Sequence, residues 1–492
     1  MRNERDETGA EHPEKLKNQV VSGMFWKFAE RIIAQGVSFI VSVILARILM
    51  PEDYGAVAVV GIFISLANVF ISSGLNVSLI QKQDADETDF STIFWCNLLI
   101  SVLLYGILFL AAPLIASLYR IPELIPVIRV FALGLPVSAF QAIQTAYVSK
   151  RMQFKKFFFS TIIGTLISAA VGIAMAYGGY GVWALVAQSL TNTVIDTLVL
   201  FFTIRWRPRL VFSMERAIPL IRFGYKVTLT DMIATILNNL ASFLMGAKYT
   251  STDLAYYSKG TQVPKLVRDN IFTTVISVLF PAMSNISDDR EYVKRLARKA
   301  IGLMSYLIFP TMVGILAVDR TMITVLFTEK WLGMAPYIAI TCAEAIISVS
   351  PTIGFQAIKS IGRSDVLLKN ELITKPVFFG SVVIGMFISP LAMALGMLIA
   401  SVYCSAVAAV LVKKTVGYSL KEQLSDVTRP ILFSAVMFVA VVLVGQIGGS
   451  AVVRLVLQVF VGAAVYLILS VATKDENYLA LKGLVMKKHG RG

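Results

Sequence analysis

Apolar residues run along this chain in long stretches that are separated by short polar segments. Each stretch is close to the roughly 20 residues that a helix needs to cross a hydrocarbon core about 30 Å thick. The stretches do not alternate between apolar and polar positions, so membrane helices are predicted rather than barrel strands. Fourteen spans are predicted, near residues 23–46, 55–80, 93–115, 126–146, 157–177, 180–203, 223–246, 255–283, 300–318, 334–356, 366–388, 391–411, 430–447 and 453–473.

The composition indicates that lipid is the solvent for most of the chain. Of its 492 residues, 57% are hydrophobic and 15% are charged, whereas soluble domains contain about 45–50% apolar and about 25% charged residues. A soluble chain of this length does not build a core that could bury so much apolar surface. The sequence therefore excludes a water-soluble enzyme and predicts an all-α polytopic membrane protein.

The basic residues lie mostly in alternate loops. If the N-terminus is cytoplasmic, the predicted cytoplasmic segments hold 30 lysines and arginines and the opposite segments hold 6. This asymmetry predicts that both termini face the cytoplasm. It also accounts for the net charge of +15 without a nucleic-acid partner. The five tryptophans are interpreted as anchors at the membrane surfaces.

Metal and nucleophile chemistry have few candidate residues. The two histidines, His12 and His489, stand in the polar tails, so the spans contain no imidazole for a metal site or a Ser-His pair. The three cysteines lie far apart in apolar stretches, where cysteine behaves as a small hydrophobe. No catalytic residue, no metal and no bound cofactor are expected. The first 22 residues also lack the pattern of a removable signal peptide.

Part of the sequence repeats itself. The segment from Pro136 to Ile143 matches the segment from Pro351 to Ile358 at five of eight positions, each near the end of the fourth span of its half. An even number of spans returns the chain to its starting side, so two parallel six-helix repeats are predicted, followed by two extra helices. The predicted organisation is an N-terminal cytoplasmic tail (1–22), an N lobe (23–206), a cytoplasmic linker (207–222), a C lobe (223–413), two accessory spans (414–473) and a C-terminal cytoplasmic tail (474–492).

Nine basic residues lie inside predicted spans. Each costs about 2.5–3.5 kcal/mol at the centre of a membrane helix, so each needs a polar cavity or a partner. Lys27 and Arg31 are four residues apart in the first span, as are Arg222 and Lys226 at the equivalent place in the seventh. The basic residues near helix ends could instead extend their head groups to the membrane surface. The predicted cationic substrate cavity comprises Lys27, Arg31, Arg129, Lys226, Lys259, Lys265, Arg268 and Lys375.

Six acidic residues also lie inside predicted spans. Asp196, Asp231 and Glu344 are candidates for binding a coupling proton or sodium ion, with structural ion pairing as the alternative. Glu30 is expected to pair with a basic neighbour on the first span, and Asp269 with Lys265 four residues before it. A cavity with this balance of charge favours an anion, because arginine and lysine bind phosphate and pyrophosphate oxygens.

Several short motifs are spread along the chain. They are Gly23-Met-Phe-Trp26, Leu45-Ala-Arg47-Ile-Leu-Met-Pro51-Glu-Asp53-Tyr54-Gly55, Gly74-Leu75, Leu79-Ile80-Gln81-Lys82, Pro208-Arg209, Arg222-Phe223-Gly224, Phe280-Pro281-Ala282, Asp288-Asp289 and Glu329-Lys330-Trp331. These motifs resemble those of the polysaccharide flippases, the Wzx-like proteins of the multidrug/oligosaccharidyl-lipid/polysaccharide exporter superfamily. The similarity runs over most of residues 20–410, and it is to the branch with the colanic-acid exporter and the teichuronic-acid translocase.

The resemblance implies fourteen helices in two lobes plus a pair, and transport by alternating access. It implies that the chain moves undecaprenyl-pyrophosphate-linked sugar repeat units across the membrane for cell-surface polysaccharide synthesis, with the polymerase machinery as a further partner. Lys27, Arg31, Lys226 and Lys259 lie on the helices where the family uses cationic residues. A cation-coupled multidrug exporter of the same superfamily is the alternative, and it would need uncompensated buried acids. A membrane-embedded transferase is disfavoured, because the chain lacks an intramembrane histidine and a large extramembrane domain.

Overall fold

A computed structural model describes residues 7–285 and 289–489, so the ends of both predicted tails and Asp288 lie outside the described residues. Within these ranges the chain forms helices and no β-strand. The helices are α1 Glu7–Ile48, α2 Pro51–Ser72, α3 Gly74–Gln81, α4 Glu87–Tyr119, α5 Leu124–Phe131, α6 Gly134–Lys150, α7 Lys155–Tyr177, α8 Val182–Thr203, α9 Met214–Lys248, α10 Ser251–Ser284, α11 Arg290–Leu326, a 3-10 helix Glu329–Met334, α12 Ala335–Ile347, α13 Val349–Ser360, α14 Ser364–Met386, α15 Pro390–Val416, α16 Leu420–Gly445, α17 Ala451–Ala472 and α18 Glu476–His489.

The described residues contain 13 helical segments that are long and apolar enough to cross a membrane, and all overlap predicted spans. The remaining predicted span, 366–388, is also a single helix, α14, of 23 residues. It is less apolar because Lys369, Glu371 and Lys375 lie in its first half. The prediction of an all-α multi-pass membrane protein with about fourteen spans is therefore confirmed.

The fourth span of each half is broken at the same place relative to the repeated motif. In the first half, α6 begins at Gly134, two residues before Pro136. In the second half, α13 begins at Val349, two residues before Pro351. Proline has no backbone N–H, and it is tolerated in the first turn of a helix, where that donor would have no helical partner. The repeated sequence thus marks a repeated break in the helix.

The chain divides into two compact units between Ala255 and Tyr256. In the first unit α9 packs on α2, α3 and α4. Helices α3 and α9 approach closely at Gly74 and Gly224, where a Cβ atom on Gly74 would overlap the carbonyl oxygen of Gly224. By this division α9 belongs with the helices that precede it. The predicted C lobe, which rests on the sequence repeat, begins at residue 223 and so includes most of α9. The lobe boundaries remain a prediction.

Aromatic side chains form a buried cluster in the first unit. The ring of Phe90 lies 5.4 Å from Tyr147 and 6.0 Å from Trp206, measured between centroids. Trp206 is 5% exposed, and Trp331 of the second unit is fully buried. The interpretation of these two tryptophans as surface anchors is therefore wrong. The apolar bulk of each indole is used in packing between elements of the protein.

In the second unit α11 packs against α12, α13, α16 and α17. Hydrogen bonds fix α11 to α17: the Tyr306 hydroxyl donates to Ser470 Oγ at 2.9 Å, and the Tyr466 hydroxyl donates to the carbonyl oxygen of Tyr306 at 3.1 Å. These buried polar groups satisfy one another, which makes the packing of the last membrane helix specific.

Candidate functional site

The first group of predicted cations lies beside aromatic rings on α1 and α7. The Lys27 ammonium is 5.5 Å from the ring centroid of Phe154 and 5.9 Å from that of Phe157. On the facing helix, Lys155 Nζ is 5.4 Å from the ring centroid of Trp26. An aromatic face attracts a cation without neutralising it. This α1–α7 cluster, Trp26, Lys27, Phe154, Lys155 and Phe157, therefore retains its positive charge.

Two further predicted cations of the first unit are exposed. Arg31 follows Lys27 by one turn on α1, and its side chain is exposed, as is that of Lys27. Lys226 is an exposed residue of α9. The structure thus places Lys27 and Arg31 on one strip of α1, as the spacing predicts. Lys226 belongs to a different helix of the same unit.

Arg129 does not belong to the α1–α7 cluster. It lies on the short helix α5, where its guanidinium carbon is 4.2 Å from the ring centroid of Phe109 on α4. Its Nε donates to the carbonyl oxygen of Phe109 at 3.4 Å. The structure therefore gives Arg129 a stacking contact with a neighbouring helix, and its membership of a substrate cavity remains a prediction.

Asp196 on α8 is the most deeply buried of the candidate coupling acids. Its side chain is 8% exposed, and its Oδ1 atom has no hydrogen-bond partner. Oδ1 lies against Gly164 of α7, so close that a Cβ atom at position 164 would overlap it. Ser160 of α7 donates to the backbone oxygen of Asp196 at 2.9 Å. A buried carboxylate oxygen without a donor is costly unless a proton or cation reaches it.

A second carboxylate meets the same face of α7. Thr161 donates its hydroxyl to Glu30 Oε1 of α1 at 3.1 Å, and Thr161 lies one turn before Gly164, which faces Asp196. Sequence reasoning expected Glu30 to pair with a basic neighbour on α1, and the structure shows a threonine of α7 instead. The signal that could have found this pair is the row of small residues Ser160, Thr161 and Gly164 on α7.

The third candidate acid of the first unit, Asp231, is exposed on α9. Its Oδ2 accepts a hydrogen bond from the hydroxyl of Ser73, the residue between α2 and α3. The side chain of Asp231 therefore has a donor at the point where the second span is interrupted. Asp231 and Asp196 have different surroundings, and only Asp196 combines deep burial with an unpartnered oxygen.

In the second unit, Lys265 and Glu344 line the same cavity, which the sequence analysis did not predict. Lys265 comes from α10 and Glu344 from α12, and Tyr257, Thr341 and Met397 complete the wall. The cavity measures about 10 Å³, which is roughly the space that one water molecule needs. The ammonium of Lys265 and the carboxyl group of Glu344 thus line the same small space. A cation and an acid predicted for different roles thus form one polar site.

The remaining predicted cations have nearer partners or lie outside this cavity. Arg268 pairs with its neighbour Asp269 at 2.8 Å, so Asp269 has an ion-pair partner other than the expected Lys265. Asp269 is exposed, whereas Lys265 lines the cavity with Glu344. Lys375 pairs with Glu371 one turn away at 3.3 Å, and both side chains are half exposed. Lys259 is a partly buried residue of α10.

Within the residues that the structure describes, no group of three or more His, Cys, Asp or Glu side chains could hold a metal ion. The side chains described above offer fixed charges, aromatic faces and exchangeable protons. The cations of the α1–α7 cluster suit an anionic group. The pairs Glu30–Asp196 and Lys265–Glu344 suit a proton or a small monovalent ion.

This arrangement of helices is also found in a solved structure. The solved structure of the lipid II flippase MurJ in an inward closed conformation superimposes with a TM-score of 0.73, at 14% identity, over 92% of this chain and 99% of that chain. At an identity this low, the superposition shows that the two proteins share a fold and nothing more.

Sequence relatives and a family model identify the family to which the chain belongs. The succinoglycan biosynthesis transport protein ExoT of Rhizobium meliloti is 25% identical over 457 residues, which are 91% of this chain and 90% of ExoT. The lipopolysaccharide biosynthesis protein WzxC of Escherichia coli is 25% identical over 431 residues, 85% of this chain and 86% of WzxC. Residues 44–336 match the family model described as polysaccharide biosynthesis protein. The chain therefore belongs to the polysaccharide biosynthesis protein family, among its Wzx-like flippases.

Proposed function

We propose that this chain moves undecaprenyl-pyrophosphate-linked oligosaccharide repeat units across the bacterial cytoplasmic membrane by alternating access. The observation that carries the proposal is the exposed pair Lys27 and Arg31, one turn apart on α1 inside a predicted span. Charges at such a position need a polar or anionic partner. A pyrophosphate group supplies several anionic oxygens, which arginine and lysine bind by charge-assisted hydrogen bonds.

The aromatic rings of the α1–α7 cluster support a glycan as the rest of the head group. Phe158 and Phe159 extend this aromatic surface, since Trp26 lies 5.0 Å and 6.3 Å from their ring centroids. Phe159 is 46% exposed. Exposed aromatic faces next to cations can pack on the C–H faces of sugar rings while the cations bind phosphate. The hydrocarbon anchor would stay in the bilayer, and no covalent step is required.

The direction of transport follows from the predicted topology. The ratio of 30 to 6 basic residues supports cytoplasmic termini, and the lipid-linked unit would be delivered to the outer face, where polymerase machinery would use it. The names of the relatives support this proposal, since ExoT is a succinoglycan biosynthesis transport protein and MurJ is a lipid II flippase.

We also propose that a proton or sodium gradient drives the cycle through Asp196 and Glu30. The unpartnered oxygen of Asp196 and the nearby Glu30 supply two acids that a single cation or proton can serve. Two close carboxylates in a membrane helix bundle favour uptake of positive charge, because like charges repel strongly where water is scarce.

A multidrug exporter is less well supported. Organic cations need acids whose charge is not compensated, and several acids of the predicted spans already have donors or cationic partners. Asp231 accepts from Ser73, Asp269 pairs with Arg268, and Glu371 pairs with Lys375. The exposed charge at the α1–α7 cluster is positive, and it would repel a cationic drug.

The proposal is tested by deleting the gene and extracting the lipids. We expect an undecaprenyl-pyrophosphate-linked oligosaccharide to accumulate on the cytoplasmic side and the surface polysaccharide to be lost. Purified protein in vesicles should then move a fluorescent lipid-linked oligosaccharide to the other leaflet. Normal polysaccharide in the deletion strain, together with increased sensitivity to organic cations, would favour the multidrug exporter instead.

A further inference from the structure

Lys265 of α10 and Glu344 of α12 are the charged residues in the wall of one small cavity of the second unit. On α10 the wall also includes Tyr257 and Thr261, which precede Lys265 at intervals of four residues, so these three side chains share one face of the helix. On α12 the wall includes Thr341, about one turn before Glu344. The rest of the wall is uncharged, so it contains one cation and one acid.

The volume of this cavity limits what can lie between the two charges. It is about 10 Å³, roughly the space that one water molecule needs. A phosphorus atom with its oxygens is larger than that space. Inside the cavity Lys265 can therefore be balanced by Glu344, directly or through one water molecule, but not by a phosphate group.

Three hydroxyl groups of the wall donate their protons to acceptors other than Glu344. Tyr257 donates to Met397 Sδ at 3.7 Å, Thr261 to the carbonyl oxygen of Ser258 at 3.2 Å, and Thr341 to the carbonyl oxygen of Tyr337 at 2.8 Å. A hydroxyl has a single proton to donate. These three groups therefore do not replace Lys265 as a partner for the carboxylate of Glu344.

The other charges close to Lys265 on α10 already balance each other. Arg268 follows Lys265 by about one turn and pairs with Asp269 at 2.8 Å. Asp269 is exposed, whereas Lys265 is partly buried. Glu344 is therefore the acid that shares the surroundings of Lys265.

The chain next to Lys265 allows its ammonium group to leave the cavity. Lys265 directly follows Pro264, which lies inside α10. Proline has no N–H to donate to the carbonyl oxygen of Gly260, so the helix can bend at this place. Gly260 itself is packed tightly, since a Cβ atom there would lie 2.8 Å from the carbonyl oxygen of Met334. The flexible side chain of lysine can thus turn outward while the preceding turn of α10 stays fixed on the start of α12.

We propose that Glu344 is an internal substitute for the anionic head group of the substrate. Its carboxylate balances Lys265 until a phosphate oxygen of the head group takes its place, and it pairs with Lys265 again after release. The inference rests on the proposed function, because it takes Lys265 to be one of the cations that bind the head group. It adds an acid that competes with the substrate for the same cation, and no covalent bond changes in the exchange.

This exchange keeps the charge of Lys265 balanced at each stage of transport. An ammonium group without an anion is costly in a cavity that holds one water molecule, because little solvent reaches it. Glu344 removes that cost once the substrate has left, so the carrier can close empty and return for another molecule. While Lys265 is turned outward, water in the vacated space solvates the carboxylate of Glu344. Glu344 therefore lowers the affinity for the substrate and speeds the empty return.

The test uses Glu344→Gln in the purified full-length protein, with inorganic pyrophosphate as the binding probe. Glutamine keeps the shape of the side chain and removes its charge, so pyrophosphate should bind about tenfold more tightly, a change within the range for one charged hydrogen bond. In vesicles, E344Q should still exchange a fluorescent lipid-linked oligosaccharide for an unlabelled one. Its net transport should decrease by about tenfold, because the empty carrier must close around an unbalanced Lys265. Pyrophosphate affinity equal to that of the unchanged protein would overturn the proposal.

Three further variants separate this role from a merely structural one. Glu344→Asp keeps the charge but moves it one methylene away from Lys265, so it should fold and show a smaller shift in the same direction. Lys265→Met combined with Glu344→Gln should lose the gain in affinity, because the gain depends on the released ammonium group. Glu371→Gln, in the half-exposed pair with Lys375, is the matched control and should change neither affinity nor the ratio of exchange to net transport.

The outcomes for Glu344 and for the proposed function are distinct. If the unchanged protein does not move the lipid-linked oligosaccharide in vesicles, the proposed function fails. If the unchanged protein transports it while E344Q and E344D lose exchange and net transport to the same extent, Glu344 does not act on the empty return and the inference fails alone. A gain in pyrophosphate affinity that persists without Lys265 would also overturn the inference.

Discussion

Gly164 of α7 lies against the Oδ1 atom of Asp196 on α8, and no donor of the described residues hydrogen-bonds to that oxygen. The absence of a side chain at position 164 is what makes room for the carboxylate between the helices. Thr161, one turn earlier on α7, holds Glu30 of α1. Glu30 of α1 and Asp196 of α8 thus both lie against α7, one turn apart.

The first prediction concerns the space at position 164. In Gly164→Ala the new methyl group overlaps Asp196 Oδ1, so the carboxylate or the α7–α8 contact must shift, at a cost of about 1–3 kcal/mol. We expect a lower melting temperature of the purified protein and reduced transport. Gly106→Ala, in open space on α4, should raise or maintain stability, since alanine favours helix over glycine. A stable and fully active G164A would show that the contact is not required.

The second prediction concerns coupling through the two acids. Asp196→Asn and Glu30→Gln keep the size of each side chain and remove the charge that a proton or sodium ion would neutralise. We expect the variants to bind the lipid-linked substrate normally and to lose transport that depends on a proton or sodium gradient. Reconstituted vesicles with imposed gradients provide the measurement. Asp84→Asn, at an exposed loop residue, is the control, and gradient-dependent transport by D196N would exclude Asp196 from coupling.

The third prediction concerns the head-group cations. Lys27→Ala combined with Arg31→Ala should lower the affinity for a pyrophosphate-linked oligosaccharide by about tenfold or more, because each charged hydrogen bond contributes about 1.5–3 kcal/mol. The decrease should be smaller at high salt, where exposed charges are screened. Thermal stability should change little, since both side chains are exposed. Lys413→Ala with Lys414→Ala serves as the control, and equal transport by both variants would refute the assignment.

The fourth prediction separates a structural from a functional role for Lys265. Lys265→Met leaves Glu344 facing a small cavity without its cation, and a charge abandoned in a poorly solvated site is destabilising. The double variant with Glu344→Gln should recover most of the stability, because neither charge then remains. We expect transport to stay low in the double variant if Lys265 contacts the substrate. Recovery of transport along with stability would make the pair purely structural.

The helices of this protein could be predicted from the sequence because long apolar runs depend only on local composition. The span 366–388, where charges dilute the apolar pattern, shows the limit of that signal, although α14 still forms there. The repeat at Pro136 and Pro351 could be found in the sequence for the same reason. Each proline lies in the first turn of a helix, and the break before that helix depends on the local sequence.

The partner of each charged side chain was less predictable from the sequence. It depends on how the helices pack against one another, which the spacing of residues along one helix does not determine. An interval of four residues suggested Asp269 with Lys265, yet Arg268 reaches Asp269 directly and Lys265 meets Glu344 from another helix. Glu30 likewise finds Thr161, which lies 131 residues away in the sequence. The rotation of each helix decides which of several nearby charges face one another.

The last prediction concerns the membrane-surface loop before α4. The guanidinium of Arg216 hydrogen-bonds Asp86 and holds the pKa of that carboxyl below its ordinary value. A lowered pKa in the folded state means that the ionised form of Asp86 stabilises the fold above the pKa of the unfolded chain. This contribution is lost as the pH falls through the folded-state value.

Asp86 also caps α4, since its Oδ1 accepts from the backbone N–H groups of Thr88 and Asp89 at 3.0 and 2.9 Å. Arg216→Gln should therefore lower the melting temperature slightly at neutral pH, and the difference from the unchanged protein should vanish in acid, where Asp86 is protonated in both. Asp86→Asn keeps the capping oxygen but removes the charge, so it should reduce the effect of the residue at position 216 to what its longer, 3.8 Å contact with Asp89 contributes. A difference between R216Q and the unchanged protein that persists in acid would mean that Arg216 acts through contacts other than Asp86.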